Sequence, residues 1–134
     1  MTKDLPAHAY PAERAPSIRQ VMMPRDTNAL GTIFGGVILA QVDLAAAIEA
    51  HKSHPGRIVT VSMDKVEFKQ PVFVGDLVSF FTDTTRVGRT SITAHVSVWA
   101  QRRFGGGTFV HVTEADVTMV AVDDEFRPTP IVRK

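Results

Sequence analysis

The one long helical pattern in the chain is GGVILAQVDLAAAIEAH, residues 35–51, and the other predicted elements are arranged around it. Apolar residues recur there at three- and four-residue steps, which predicts an α-helix that is buried on most sides. Asp43 stands in this pattern where an apolar residue is expected. The residues three and four positions from it are small or apolar, namely Leu39, Ala40, Ala46 and Ala47. A carboxylate is costly to bury among such neighbours, so Asp43 is a candidate for chemistry.

The rest of the chain is predicted to be mostly β-structure. Residues 18–23 suggest a short strand before the helix. Four longer stretches rich in β-branched or alternating apolar residues follow it, at 57–69, 77–87, 91–102 and 109–122. This order predicts an α+β domain in which a curved antiparallel sheet of about five strands wraps one long central helix. Because one helix cannot cover so long a sheet, we also expect an oligomer.

The composition is that of a single globular domain. The chain has 134 residues, of which 44% are apolar and 22% are charged, enough to build one core. A net charge of +1 argues against a dedicated nucleic-acid-binding protein, and no apolar run approaches the ~20 residues of a membrane helix. The absence of cysteine excludes disulfides, thiolate metal sites and a cysteine nucleophile, and it agrees with a cytoplasmic location.

The two ends of the chain differ from its centre. Residues 1–16 contain three prolines and no periodicity, which predicts a flexible N-terminal arm or a segment that is ordered only on assembly. Residues 17–123 are expected to form the domain, and residues 124–134 a C-terminal tail.

A polar, glycine-rich loop leads into the helix. The backbone N–H groups of Gly35 and Gly36 would lie at the helix N-terminus, where negative charge is stabilised, and glycine lets a substrate approach the backbone closely. Asp43 could act as a general base on water or, less favourably, as a nucleophile; alternatively, it pairs with an arginine of a partner. Together these features predict a site where water attacks a carbonyl group.

A series of motifs in fixed order carries a family resemblance. The motifs are Thr27-Asn28-x-x-Gly31-x-x-Phe34-Gly35-Gly36, Gln41-x-Asp43, Arg57-Ile58-Val59-Thr60-Val61, Phe68-x-x-Pro71-Val72-x-Val74-Gly75-Asp76, Gly88-x-Thr90-Ser91 and Val98-Trp99. The series resembles the hotdog-fold acyl-CoA thioesterases, specifically the bacterial YciA-like acyl-CoA hydrolase group, over roughly residues 17–122. The resemblance implies hydrolysis of acyl-CoA to a free acid and CoA without metal or cofactor. It also implies dimers joined edge to edge through their sheets, commonly with three dimers in a hexamer.

The resemblance also assigns a role to Asn28. In the family an asparagine in this motif pairs with the helix aspartate to hold water or the thioester. Asparagine in a polar loop is equally typical of an Asx turn, so both interpretations stay open.

The spacing of the helix residues has a consequence for assembly. Asp43 follows Gly35 by eight residues, which is ~12 Å along a helix axis at ~1.5 Å per residue. One thioester cannot touch both Asp43 and the backbone N–H of Gly35 in the same helix. If both act on it, one protomer supplies the helix start and another supplies Asp43, so the site requires an oligomer.

A basic hairpin is the candidate for holding the CoA phosphates. Arginine side chains and hydroxyl groups bind phosphate well, although an ordinary solvated turn has the same composition. The predicted CoA-binding residues are Arg86, Gly88, Arg89, Thr90, Ser91 and, with less support, Arg57.

Two other functions on the same fold remain as alternatives. A hydratase or dehydratase acting on acyl thioesters would resemble a pattern with a histidine in the helix region, whereas Phe34 precedes the glycines here. A non-catalytic acyl-CoA sensor has little reason to bury Asp43. His51 and His54 have a spacing that could suggest a metal, but no further ligand completes a set, so no metal site is predicted.

Overall fold

The computed structural model describes residues 9–131; residues 1–8 and 132–134 lie outside the described part. Helix α1 (Gly35–Ala50) packs against a five-stranded antiparallel sheet with the strand order β1-β3-β4-β5-β2. The predicted α+β architecture is therefore confirmed. The strands are β1 (Ile18–Val21), β2 (Ile58–Asp64), β3 (Leu77–Val87), β4 (Ser91–Gln101) and β5 (Phe109–Ala121). Among residues 9–131, no helix has the length and apolar character needed to cross a membrane.

Strand β2 is shorter than predicted, because it ends at Asp64 and does not continue to Lys69. Lys65 has a φ of 60°, a left-handed conformation that interrupts a strand. Strand propensity alone does not reveal such a break. The chain returns to the sheet five residues after Asp64, where the backbone N–H of Lys69 donates to the carbonyl of Val112 at 2.8 Å.

The core lies between the helix and the inner face of the sheet. Strand β4 alternates as predicted, with Ile92, Val96 and Val98 buried against the helix. The helix contributes Ile38 and Val42 to the same core. Alternate residues of β4 and the buried face of α1 thus belong to one core.

Glu49 is a buried carboxylate inside this helix–sheet contact, with 7% of the residue exposed. Thr82 donates its hydroxyl to Oε1 at 2.8 Å, Thr84 donates to Oε2 at 2.8 Å, and the Lys52 ammonium donates to Oε1 at 3.0 Å. Burial raises the pKa of Glu49, but these hydrogen bonds outweigh burial and leave the pKa below its usual value. Glu49 therefore anchors the last turns of α1 to β3.

The described part of the N-terminal arm packs on the outer face of the sheet. The ring of Tyr10 stacks on Phe109 with centroids 4.0 Å apart and meets Phe81 and Trp99 edge-on. Arg14 pairs with Asp83 at 2.9 Å. Residues 9–16 thus cover aromatic side chains of the outer face, while the first eight residues of the predicted arm lie outside the described residues.

One side of the helix and one sheet edge expose apolar groups. Leu44 and Ile48 are 54% and 44% exposed on α1, and Val61 is 57% exposed on the edge strand β2. Leu44 adjoins Asp43 in the helix, and Val61 adjoins Thr60, whose hydroxyl donates to Asp43. An exposed apolar flank of this kind marks a surface for association.

Candidate active site

The start of α1 presents backbone donors to its surroundings. Phe34 precedes the helix in an extended conformation, with φ −60° and ψ 128°, and has no polar side chain that could cap it. The N–H groups of Gly35 and Gly36 have no acceptor within residues 9–131. A Cβ on Gly36 would lie 2.5 Å from the Phe34 ring, so only glycine fits there while that ring stays in place. The helix start can therefore donate two hydrogen bonds to a ligand.

A cavity of about 350 Å³ opens beside these donors. Its size is that of an ordinary small-molecule site. The lining is mainly apolar and includes Gly35 itself, so a ligand in the cavity reaches the helix start. The lining residues are Ile33, Gly35, Ile38, Phe68, Lys69, Gln70, Pro71 and Val72.

Asn28 shapes the loop that leads to the helix. Its Oδ1 accepts hydrogen bonds from the backbone N–H of Leu30 at 2.8 Å and of Thr32 at 3.2 Å, and its Nδ2 donates to Thr32 Oγ1 at 2.9 Å. This is the Asx-turn arrangement, one of the two interpretations of the sequence. Within a single chain, the Asn28 side chain holds its own loop.

Asp43 lies in the middle of α1 and is half-buried. The hydroxyl of Thr60, on strand β2, donates to Asp43 Oδ1 at 2.6 Å. The expectation of wholly apolar surroundings is therefore wrong for the single chain, because the helical pattern cannot show which strand residue faces Asp43. The bond leaves Oδ2 available to another partner.

The structure keeps Asp43 and the helix start apart. Asp43 is not among the residues that line the cavity at Gly35, and it follows Gly35 by eight positions in the helix. Asp43 instead faces the edge strand β2, on the exposed apolar flank of the molecule. A ligand that touches both groups must therefore be shared with another protomer.

The basic hairpin forms the turn between β3 and β4, closed by a bond from the Gly88 N–H to the Ser91 carbonyl at 2.8 Å. Arg86 and Arg89 are exposed, and in the described part of the chain their guanidinium groups make no hydrogen bond or ion pair. The Thr90 carbonyl accepts the N–H of Ala121 at 2.8 Å, which ties the turn to the end of β5. Both guanidinium groups can therefore bind an anion.

Arg57 lies at the same end of the sheet as the hairpin. Its backbone carbonyl accepts the N–H of Val122, and its guanidinium lies 5.0 Å above the Phe126 ring and donates to the Asp123 carbonyl at 3.2 Å. The side chain is thus largely engaged within its own chain. This end of the sheet is opposite to the end that meets the helix start, near Val112.

The histidines in the described part of the chain form no metal centre. Among residues 9–131, no group of three or more His, Asp or Glu side chains is arranged to hold a metal ion. His95 lies on the outer face, where its two ring nitrogens meet Asp116 at 2.8 Å and Glu114 at 2.7 Å. Burial lowers the pKa of His95, but the hydrogen bonds to both carboxylates outweigh it and raise the pKa above its usual value.

The comparison with known protein families gives the class to which this fold and helix start belong. A family model described as "Thioesterase superfamily" matches residues 30–103, more than half of the chain. The chain therefore belongs to the thioesterase superfamily, and the resemblance identified in its motifs is confirmed.

Individual relatives are named as thioesterases or acyl-CoA thioester hydrolases. The chain is 39% identical over 116 residues to "Acyl-CoA thioester hydrolase YciA" of Salmonella typhimurium, covering 85% of this chain and 87% of the relative. It is 48% identical to Cj0915, a hexameric hotdog fold thioesterase of Campylobacter jejuni, with a TM-score of 0.83 over 88% of this chain and 90% of the other. It is 40% identical to HI0827, a hexameric broad specificity acyl-coenzyme A thioesterase, with a TM-score of 0.84 over 90% and 82% of the two chains. The predicted hotdog fold is confirmed.

Proposed function

We propose that this protein is an acyl-CoA thioester hydrolase that releases a free carboxylic acid and CoA. The observation that carries the proposal is the pair of N–H groups at the helix start, which have no acceptor among the described residues and lie beside a cavity. The chain is also closely similar to enzymes of this activity. Such donors stabilise the negative charge that develops on a carbonyl oxygen under attack.

In the proposed step, Asp43 acts as the general base. One carboxylate oxygen takes a proton from water while the water oxygen bonds to the thioester carbonyl carbon. The electron pair of the carbonyl moves to its oxygen, where the N–H groups of Gly35 and Gly36 bind it. The tetrahedral intermediate then collapses, the carbon–sulfur bond breaks, and the CoA thiolate takes the proton from Asp43.

Thr60 supports this role of Asp43. Its hydroxyl occupies Oδ1 at 2.6 Å and fixes the orientation of the carboxylate, which leaves Oδ2 for the water. Asn28 is proposed to hold the loop that positions Gly35 and, through its second amide hydrogen, to contact the water or the thioester. We propose no metal or cofactor, because each step uses only these groups and water.

Two protomers are proposed to build each site. The helix start of one would face Asp43 of the other across the apolar flank, which joins the sheets at β2. A dimer would then hold two sites, and three dimers would form a hexamer like those of the relatives. The CoA phosphates would bind Arg86 and Arg89 on the hairpin, with Gly88, Thr90 and Ser91 shaping the turn and Arg57 nearby. A cytoplasmic location remains a prediction.

The first test replaces Asp43 with asparagine. Asp43→Asn can still accept the Thr60 hydroxyl, so we expect an intact fold and oligomer, but a loss of about 10²–10⁴-fold in kcat because an amide cannot accept the proton. Thiol release from a panel of acyl-CoAs, from acetyl to palmitoyl, measures the effect.

Glu13→Gln, at an exposed position of the N-terminal segment outside β2, is the matched control and should keep wild-type rates. Near-normal turnover by Asp43→Asn would contradict the assignment of the base. Tight binding of acyl-CoA without turnover by the wild-type protein would instead indicate the sensor.

A further inference from the structure

The cavity beside the helix start contains one charged lining residue, Lys69. Its backbone is held to the sheet by the bond from its N–H to the Val112 carbonyl. Only 12% of its side chain is exposed, so the ammonium group is largely withdrawn from water. Burial of a charge is costly unless hydrogen-bonding partners replace the lost water.

The ion pair that this ammonium group makes is weak. Lys69 Nζ lies 3.7 Å from Glu67 Oε1, and the Glu67 side chain is 60% exposed. Charge-assisted hydrogen bonds are about 2.7–2.9 Å long, and an ammonium group has three hydrogens to donate. Within the described residues, Nζ makes no hydrogen bond. The cavity therefore contains a cation with unused donors.

We propose that Lys69 is a specificity-determining residue, which binds the free carboxylate of a short dicarboxylic acyl group. The inference rests on the proposed function, since it takes the thioester carbonyl to lie at the N–H of Gly35. The substrate class is then an acyl-CoA whose acyl chain ends in a carboxylate.

The dimensions of the cavity fit this class. A volume of about 350 Å³ equals that of a sphere about 9 Å across, and Gly35 and Lys69 both line it. A chain of about five carbons that starts at Gly35 therefore ends within reach of the ammonium group. Ile33 and Ile38 offer apolar contact to the methylene groups in between. An uncharged acyl chain would cover the ammonium group without giving it an acceptor, which disfavours that substrate.

The test compares two substrates that differ only in the terminal group, glutaryl-CoA and pentanoyl-CoA. The ratio of their kcat/KM values is measured for wild type, Lys69→Met and Lys69→Arg. The control is Lys65→Met, because the Lys65 side chain is 81% exposed and pairs with Asp116 on the outer surface. Thermal unfolding and size-exclusion chromatography check that each variant is folded and assembled; Lys69→Gln replaces Lys69→Met if the latter fails.

We expect wild type to prefer glutaryl-CoA and Lys69→Met to lower the ratio by about 10- to 100-fold, the usual effect of losing a hydrogen bond to a charged group. Lys69→Arg should retain part of the preference, and Lys65→Met all of it. If Lys69→Met leaves the ratio unchanged and raises KM equally for both substrates, the inference is overturned. The ammonium group would then be assigned to a CoA phosphate, which both substrates share. A wild-type preference for pentanoyl-CoA would overturn it while leaving the proposed function standing. Thiol release from neither substrate would overturn the inference, and thiol release from no member of the acetyl-to-palmitoyl panel would overturn the proposed function as well.

Discussion

At the scale of single residues, the proposed site needs two kinds of group, which lie a fixed distance apart along one helix. Gly35 provides a backbone donor at the helix start, and Asp43 provides a carboxylate two turns later that is oriented by Thr60. The donor requires no side chain, whereas the carboxylate requires a partner from another element. Both residue types were predictable from the sequence, but Thr60 was not, because the pairing of a strand residue with a helix residue is a tertiary contact.

The oxyanion role of Gly35 can be tested by removing only its N–H. Gly35→Pro does this at the first helical position, where proline fits best, and Phe34 already has the extended conformation that precedes a proline. We expect a folded oligomer with kcat lowered about 10²–10³-fold.

Gly35→Ala is the comparison, because it keeps the N–H and adds a Cβ only 3.5 Å from the Phe68 ring, an ordinary contact. Measured kcat should fall far less in Gly35→Ala than in Gly35→Pro. Equal losses in the two variants would exclude the N–H as the source of the effect.

Arg89 gives a prediction about substrate binding. Its exposed guanidinium group has no partner in the part of the chain that the structure describes. Arg89→Ala should therefore raise KM for acyl-CoA by about 10-fold, with little change for a short thioester that lacks the nucleotide. Steady-state kinetics with both substrates provide the measurement. An equal rise in KM for both would remove Arg89 from the CoA site.

At the scale of elements, the helix is held by a polar anchor that the sequence did not indicate. Glu49 follows Asp43 by six residues and binds Thr82 and Thr84 on β3. A glutamate near a helix end is usually solvated, so its burial depends on which strand residues lie opposite. The position of Asp43 along the sheet thus depends on a contact outside the predicted site.

The anchor predicts a pH dependence of stability. Because the pKa of Glu49 is lowered from its usual 4.5, its carboxylate stabilises the fold above pH 4.5, and this contribution is lost as the pH falls through the folded-state pKa. Glu49→Gln should lower the free energy of unfolding by about 1–3 kcal/mol at pH 7, and the difference from wild type should shrink in acid. Urea unfolding at fixed protein concentration measures both values. A difference that is constant from pH 7 to pH 3 would contradict the anchor.

Most elements were predictable because their patterns are local. Strand β3 has the predicted limits, since its alternation runs up to a Gly-Arg turn. Strand β2 was predicted too long, because the left-handed residue Lys65 has no sequence signal. The same error concealed the cavity, since Phe68 and Lys69 were assigned to a strand and in fact line the space beside the helix start.

At the scale of the whole molecule, the separation of Asp43 from the helix start is the main feature. One chain carries both groups, but the cavity reaches only one of them. The exposed flank formed by Leu44, Ile48 and Val61 supplies the surface through which a second chain would bring them together. The proposed enzyme is therefore active only as an assembly, and its two sites per dimer are related by symmetry.

Subunit complementation shows whether two protomers share one active site. Asp43→Asn and Gly35→Pro are each expected to be nearly inactive alone, but a mixed dimer contains one site with both groups intact. After denaturation and refolding of an equimolar mixture of the two variants, half of the dimers contain one chain of each. One of the two sites in each mixed dimer is complete. Thiol release should then recover to about one quarter of the wild-type rate. If the rate of thiol release stays at the level of the separate variants although subunit exchange is verified, Asp43 and the helix start do not meet across the interface. The proposed two-protomer site would then be wrong.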